Sequence, residues 1–341
     1  MLISFKKTIG HSETKKYLEK ILISKKLPSS FLFAGPEGVG KATCAFEFVK
    51  IYFCLKEDKP CDECINCKRI NHFNFPNLRL VLPEEIEEKI LEEIESGSIN
   101  PNNLRGNSFS RSLVISINQI RRIKEEIIYP PSEGDRIFYI ILDGDLMGRE
   151  AQNAFLKTLE EPPPYITFIL ISSHSELLLP TIRSRTQRIA FSPLTFEEFS
   201  KYKFPKLYNL QYLYNLSGGS IGKAKLMISK DIEDIKKRML QILMMKKTPY
   251  HLLKGEIKRD DLILMCNILQ FILKDLLNVK IGKEDNIIFK EMLPFYVRYR
   301  DKIRREEIEK KYYDTLELED AINRRANISL ILMSFPKFSF V

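Results

Sequence analysis

One stretch constrains the fold more than any other. From Ile137 to Phe191 the chain runs IFYIILDGDLMGREAQNAFLKTLEEPPPYITFILISSHSELLLPTIRSRTQRIAF. By periodicity it reads as a strand, an acidic turn, a helix, a proline break, a second strand and then an arginine on an exposed loop. The two strand runs, Ile137–Leu142 and Ile166–Ile171, are apolar throughout. That pattern suits parallel strands covered on both faces, not strands with one wet face. Strands alternating with helices imply a wound α/β sheet.

The flanking segments extend this sheet. Ser12 to Lys25 is expected as a helix, with Ser12 as its cap and Tyr17, Leu18, Ile21 and Leu22 on one face. A strand is expected at Phe31–Ala34, ending at Gly35. A helix follows at Lys41–Phe53, where Ala42, Ala45, Phe46, Val49 and Phe53 recur with helical spacing. Leu78–Leu82 reads as a strand closed by Pro83. Glu84 to Glu95 is acidic but spaced like a helix, and Ser96 to Ser112 reads as a surface loop. Val114–Ile117 suggests a short strand. Asn118–Ile128 suggests an amphipathic helix that stops before Pro130. After Pro193 strand runs disappear and helical periodicity dominates. The expected division is an α/β core over 1–192, a small helical segment over 193–230 containing the Ser217-Gly218-Gly219-Ser220 turn, and a separate helical domain over 231–341.

A chain of 341 residues has room for two or three domains with their own cores. Its start does not resemble a secretory signal, and no run reaches the roughly 18 apolar residues of a membrane span. The expectation is a soluble, cytoplasmic protein with no membrane partner. The formal charge of +9 is compatible with nucleic acid, and equally with a lysine-rich surface. There is no Trp, and no RNA-binding aromatic signature is visible.

Gly35-Pro36-Glu37-Gly38-Val39-Gly40-Lys41-Ala42-Thr43 lies between a predicted strand and a predicted helix, where a Walker A phosphate loop belongs. Glycines there let backbone N–H groups turn inward around phosphates. The helix N-terminus adds its positive end, and Lys41 reaches the outer phosphates. The loop departs from the full pattern at Ala42, where a Ser or Thr should hold magnesium. Thr43 comes one residue later, about 100° further around the helix. ATP or ADP binding through the loop amides and Lys41 stays open, and hydrolysis is expected to be weak or absent.

Asp143 follows the first apolar strand, the place of a Walker B aspartate. Gly144 occupies the next position, where an active ATPase of this kind has a glutamate. Asp143 is either a magnesium ligand or an acidic cap for the following helix. Cys54, Cys61, Cys64 and Cys67 are separated by six, two and two residues. Short gaps let thiolates converge on one tetrahedral zinc, and four such ligands fill its shell, so the site is structural. His72 lies close but is not needed as a ligand. In Pro180-Thr181-Ile182-Arg183-Ser184-Arg185-Thr186-Gln187 the two arginines are either simple solvent-facing side chains or cations offered to a neighbour's γ-phosphate.

Several segments together carry a family resemblance. They are Ile9-Gly10-His11, the loop Gly35–Lys41, the four cysteines, Ile117-Asn118-Gln119-Ile120-Arg121, the run Asn153 to Pro163 reading NAFLKTLEEPP, and Ser184-Arg185-Thr186-Gln187. With these, the first 220 or so residues resemble the AAA+ clamp-loader family of bacterial DNA polymerase III, and within it the delta-prime class. The C-terminal part is matched only by helical character and length. The resemblance implies an AAA+ P-loop core with a zinc module, a helical lid and a helical collar. It implies that Arg185 acts as a finger in trans, with Thr186 where the family has Cys. The family's glycine-serine sensor turn falls on Gly219–Lys223, with Lys223 where an ATPase has arginine. Implied partners are the gamma/tau and delta subunits of a five-membered ring, and through the ring the sliding clamp and primer-template DNA.

Three readings compete. The first is a rigid stator that lends Arg185 to a neighbour. The second is a gamma/tau-type motor ATPase, opposed by Ala42, Gly144 and Lys223 and by the lack of a long tail. The third is a zinc-bearing P-loop protein unrelated to replication.

Overall fold

The computed structural model describes residues 2–24, 26–84, 114–205, 210–229, 232–244, 259–323, 326–332 and 334. The acidic segment expected as a helix and the loop after it fall almost wholly outside the described residues. Two compact units emerge: residues 1–202 with 219–222, and residues 203–218 with 223–341. The expected lid-to-collar boundary near 230 falls within the second of these.

The first unit runs in order β1 (Leu2–Ile3), α1 (Ser12–Ser24), β2 (Ser30–Ala34), α2 (Lys41–Phe53), β3 (Asp58–Lys59), α3 (Ile65–Asn71), β4 (Leu78–Val81) and α4 (Ile117–Glu126). It continues with β5 (Ile137–Ile141), α5 (Arg149–Glu160), β6 (Ile166–Ser172), α6 (Pro180–Ser184), β7 (Gln187–Ala190) and α7 (Phe196–Ser200). Five strands form one parallel sheet in the order β4-β5-β6-β2-β7. Every residue of β2, β5 and β6 is buried, as their unbroken apolar runs require. Alternation along each strand feeds two core layers. Phe31, Phe33, Phe138 and Ile140 pack with Leu18 of α1 and Ala45 and Phe48 of α2. Leu32, Tyr139, Ile141 and Phe168 pack with Ile120 of α4, Phe155 of α5 and Ile182 of α6. The fold class is therefore the expected P-loop α/β sheet with helices on both faces.

Three local expectations change. Ser12 is the first helical residue, not the cap; the residue before it, His11, sits at φ 54. Val114–Ile117 forms no strand, and only Ile115 bridges Met147. The helix that follows starts one residue early, because Ser116 and Gln119 close a capping box: Ser116 Oγ accepts from the Gln119 N–H at 3.3 Å, and Gln119 Oε1 accepts from the Ser116 N–H at 3.0 Å.

The second unit is helical. Its described elements are α8 (Leu210–Ser217), most of α9 (Ile221–Ser229), α10 (Ile232–Met244), α11 (Arg259–Lys280), α12 (Leu293–Arg300), α13 (Arg305–Asn323) and α14 (Ile328–Leu332). Helix α11 is its centre and packs on α10, α12 and α13. Leu262, Cys266, Leu269, Leu273 and Leu276 recur at helical spacing and are buried. The stretch Asp261–Lys280 is long and apolar enough to cross a membrane, but most of it is buried against its own unit as a core helix. Asp275 of α11 is fully buried and accepts from the N–H groups of Ile288 and Phe289 and from Tyr296 Oη, at 2.9, 2.8 and 3.2 Å. Those bonds fix the chain after α11 by satisfying donors that would otherwise be buried without partners.

Candidate functional site

The phosphate loop leaves the C-terminal end of β2 and enters α2, at the carboxyl edge of the parallel strands where such sheets bind ligands. Gly35 has φ 155, and a Cβ on it would collide with the carbonyl of Phe191 beside the β7 end, so only glycine fits. Gly38 and Gly40 also have positive φ. Lys41 is buried. Its Nζ donates to the carbonyls of Gly35 and Pro36 at 2.5 and 2.6 Å and to Ser173 Oγ at 3.1 Å. The ammonium thus folds back into its own loop. Thr43 lies in the first turn of α2, half-buried like Ala42.

The acidic strand end is arranged differently from its sequence reading. Alternation continues one residue past β5, so Leu142 joins Phe138 and Ile140 in the layer of α2 and Val39. Asp143 follows in the left-handed conformation, at φ 50 and ψ 51, and precedes the short turn Gly144–Leu146. The strand position on the loop's side is therefore a leucine. Asp145, two residues on, accepts from Ser172 Oγ at 2.6 Å and from the Ser173 N–H at 3.1 Å. Lys41, Ser173 and Asp145 form a polar chain across the ends of β2, β6 and β5. Sequence reasoning read Leu142 as the strand end but not its place in the layer of α2, and it missed Ser173 and Asp145; alternation along the run through Leu142 was the available signal.

The loop has a second neighbour. Ser220 Oγ donates to the Glu37 carbonyl at 2.8 Å, and the Gly222 N–H donates to the Gly38 carbonyl at 2.9 Å. A Cβ on Gly222 would lie 2.6 Å from Gly38 Cα, too close for any side chain. Ser220 and Gly222 both abut the loop. Lys223, the expected sensor, is next on α9 and belongs to the second unit. His11 closes the loop's other flank. Its Nε2 lies 2.8 Å from the Val39 carbonyl, its ring meets Phe191 edge-on, and burial lowers its pKa below 6.5.

The four cysteines converge. Their sulfurs all lie within 4.8 Å of one another, and Cys61 Sγ and Cys67 Sγ are 3.9 Å apart. A tetrahedron with Zn–S of about 2.3 Å has edges of about 3.8 Å, so the donor set fits a four-thiolate metal. The Cys64 and Cys67 N–H groups donate to Cys61 Sγ and Cys64 Sγ at 3.3 and 3.5 Å. Burial opposes ionisation of Cys61, yet neighbouring backbone donors outweigh it and pull its pKa to about 6. Burial pushes Cys54 and Cys67 up. A bound dication would hold all four as thiolates. His72 caps the end of α3 and is not part of the cluster. Lys50, itself buried, donates to Asp62 at 2.7 Å and ties the cysteine loop to α2.

Arg185 is not on an open loop. It is the C-cap of α6, separated by Thr186 alone from β7, a strand the sequence reading did not anticipate. Arg183 and Arg185 are both exposed. Thr186 is buried and donates to the Ile182 carbonyl at 3.0 Å, which fixes the turn beneath Arg185.

Residues 10–195, more than half of the chain, match the family described as DNA polymerase III, delta subunit. The chain belongs to that family. It is 24% identical over 330 residues to DNA polymerase III subunit delta' of Bacillus subtilis, covering 92% of this chain and 91% of that one. DNA polymerase III subunit tau of Bacillus subtilis is 31% identical over 193 residues, covering 56% of this chain and 29% of tau. Among solved structures, a DNA polymerase III gamma subunit-related protein from Thermotoga maritima aligns at TM-score 0.45 and 19% identity, over 94% of this chain and 97% of that one.

Proposed function

We propose that this chain is the delta-prime-type stator of a clamp loader. It scaffolds a ring with gamma/tau-type and delta-type subunits that places a sliding clamp on primed DNA in the cytoplasm. The observation that carries the reading is hydrocarbon around the phosphate loop, with Ala42 on α2 where a hydroxyl would hold magnesium and Leu142 packed in the layer of α2 and Val39, together with an exposed Arg185. Without that anchor the metal is not held across the outer phosphates, and its charge is missing where the transition state needs it. ATP or ADP binding without turnover fits Gly35, Gly38, Gly40 and Lys41, with Thr43, Asp143 and Lys223 as peripheral residues. Arg185 then serves a nucleotide held by the adjacent subunit. Cys54, Cys61, Cys64 and Cys67 hold one structural zinc. The match to delta' over 92% of this chain and 91% of that one favours this role over the motor reading.

The test is ATP turnover by the complex reconstituted with wild-type chain or with Arg185→Ala. The variant is expected to assemble normally and to lose most turnover at the site it faces, by about 10³-fold. Unchanged turnover would remove the role of Arg185. Vigorous DNA-stimulated turnover by the isolated chain would favour the motor.

A further inference from the structure

The guanidinium of Arg185 is already held by its own chain. Its Nη2 lies 2.7 Å from Glu160 Oε1, and its Nη1 donates to the Thr181 carbonyl at 3.2 Å. The two side chains are 36% and 48% exposed, and a pair that wet contributes little to folding. Nor does local helix energetics explain Glu160. It is the last residue of α5, at the negative end of the helix dipole, where a carboxylate is disfavoured. Its backbone is nevertheless firmly based. Phe155 and Leu159 bury the inner face of the same helix end, and Pro162-Pro163-Pro164 stiffen the chain that leaves it.

We propose that Glu160 is a positioning residue for Arg185: it holds the guanidinium oriented for a phosphate bound by the adjacent subunit. This rests on the reading of Arg185 as a finger acting in trans. A free arginine side chain samples many rotamers, and a finger contributes only in the one that meets the transferring phosphoryl group. A guanidinium has five N–H donors, so two internal contacts do not exhaust its capacity for a phosphate. The carboxylate also offsets the cation's charge until a more highly charged anion is presented.

The experiment uses the reconstituted complex carrying wild-type chain, Glu160→Gln, Glu160→Ala, Arg185→Ala or the Glu160→Ala/Arg185→Ala pair, each checked for assembly by size-exclusion chromatography. Glu160→Ala is expected to lower kcat by about tenfold with KM for ATP unchanged. Glu160→Gln keeps one acceptor oxygen and should fall between. The double variant should be no slower than Arg185→Ala alone, because Glu160 acts only through Arg185. Wild-type or raised turnover in Glu160→Ala, with Arg185→Ala impaired, overturns the positioning role and leaves the finger standing. Additive losses in the double variant overturn it too. Full turnover in Arg185→Ala overturns the finger itself.

Discussion

The backbone N–H of Gly222 donates to the carbonyl of Gly38 at 2.9 Å, joining the first turn of α9 to the middle of the phosphate loop. The contact is backbone against backbone, so neither partner can move aside by changing rotamer. It makes Gly222 as much a part of the loop as the glycines within it.

Gly222→Ala is therefore expected to destabilise the first unit. A methyl group would lie 2.6 Å from Gly38 Cα. Overpacking strain of about 1–3 kcal/mol, taken up here by rigid backbone, offsets or outweighs the gain of about 1 kcal/mol from replacing a helical glycine. Thermal unfolding compared with wild type checks this, and an unchanged or raised Tm would show that the loop yields.

Ala42→Thr is expected not to create an ATPase. It restores a hydroxyl on α2, but Leu142 still presents hydrocarbon on the strand side. Phosphate release by the isolated variant should remain at background. Turnover approaching one per second would mean that another carboxylate, Asp143 or Asp145, serves the metal.

Chelating the metal should unfold the cysteine module and lower the melting temperature of the first unit, since metal binding and folding of such a site are one equilibrium. Metal analysis of purified protein should find one zinc per chain, and Cys61→Ser should lose it. Protein purified without chelator that contains no zinc would defeat the assignment.

His11 makes the first unit acid-sensitive. Burial depresses its pKa below 6.5, so just below that value the unfolded chain binds the proton and the folded chain does not. Its contribution is fully present above the unfolded pKa and is lost as pH falls towards the folded one. Denaturant unfolding at pH 7.5 and pH 5.5 should show a larger loss in wild type than in His11→Gln. Equal losses would assign the acid sensitivity elsewhere.

Much of this was legible in the residues. The apolar runs of β2, β5 and β6 are long enough to declare buried parallel strands, and the α2 boundaries follow directly from Gly40 and the spacing of Ala45, Val49 and Phe53. The cysteine spacing announced a convergent cluster because short gaps restrict where four sulfurs can go. The β7 strand was hidden because it is a four-residue edge strand in which only Ile189 is buried. The apolar run was read through Leu142, but the polar chain of Lys41, Ser173 and Asp145 was hidden because its members come from three separate strand ends.

The sequence by itself determined which groups exist and how neighbours along the chain are spaced: a glycine loop before a helix, four clustered thiols, an arginine after a strand, an alanine in place of a hydroxyl. Only the tertiary structure decided which distant groups meet. Gly222 meets Gly38, Lys41 meets Ser173, and Arg185 meets Glu160, over separations of 184, 132 and 25 residues. Such meetings depend on how the sheet and its two layers of helices close-pack, and packing is a property of the whole core that no short window of residues contains.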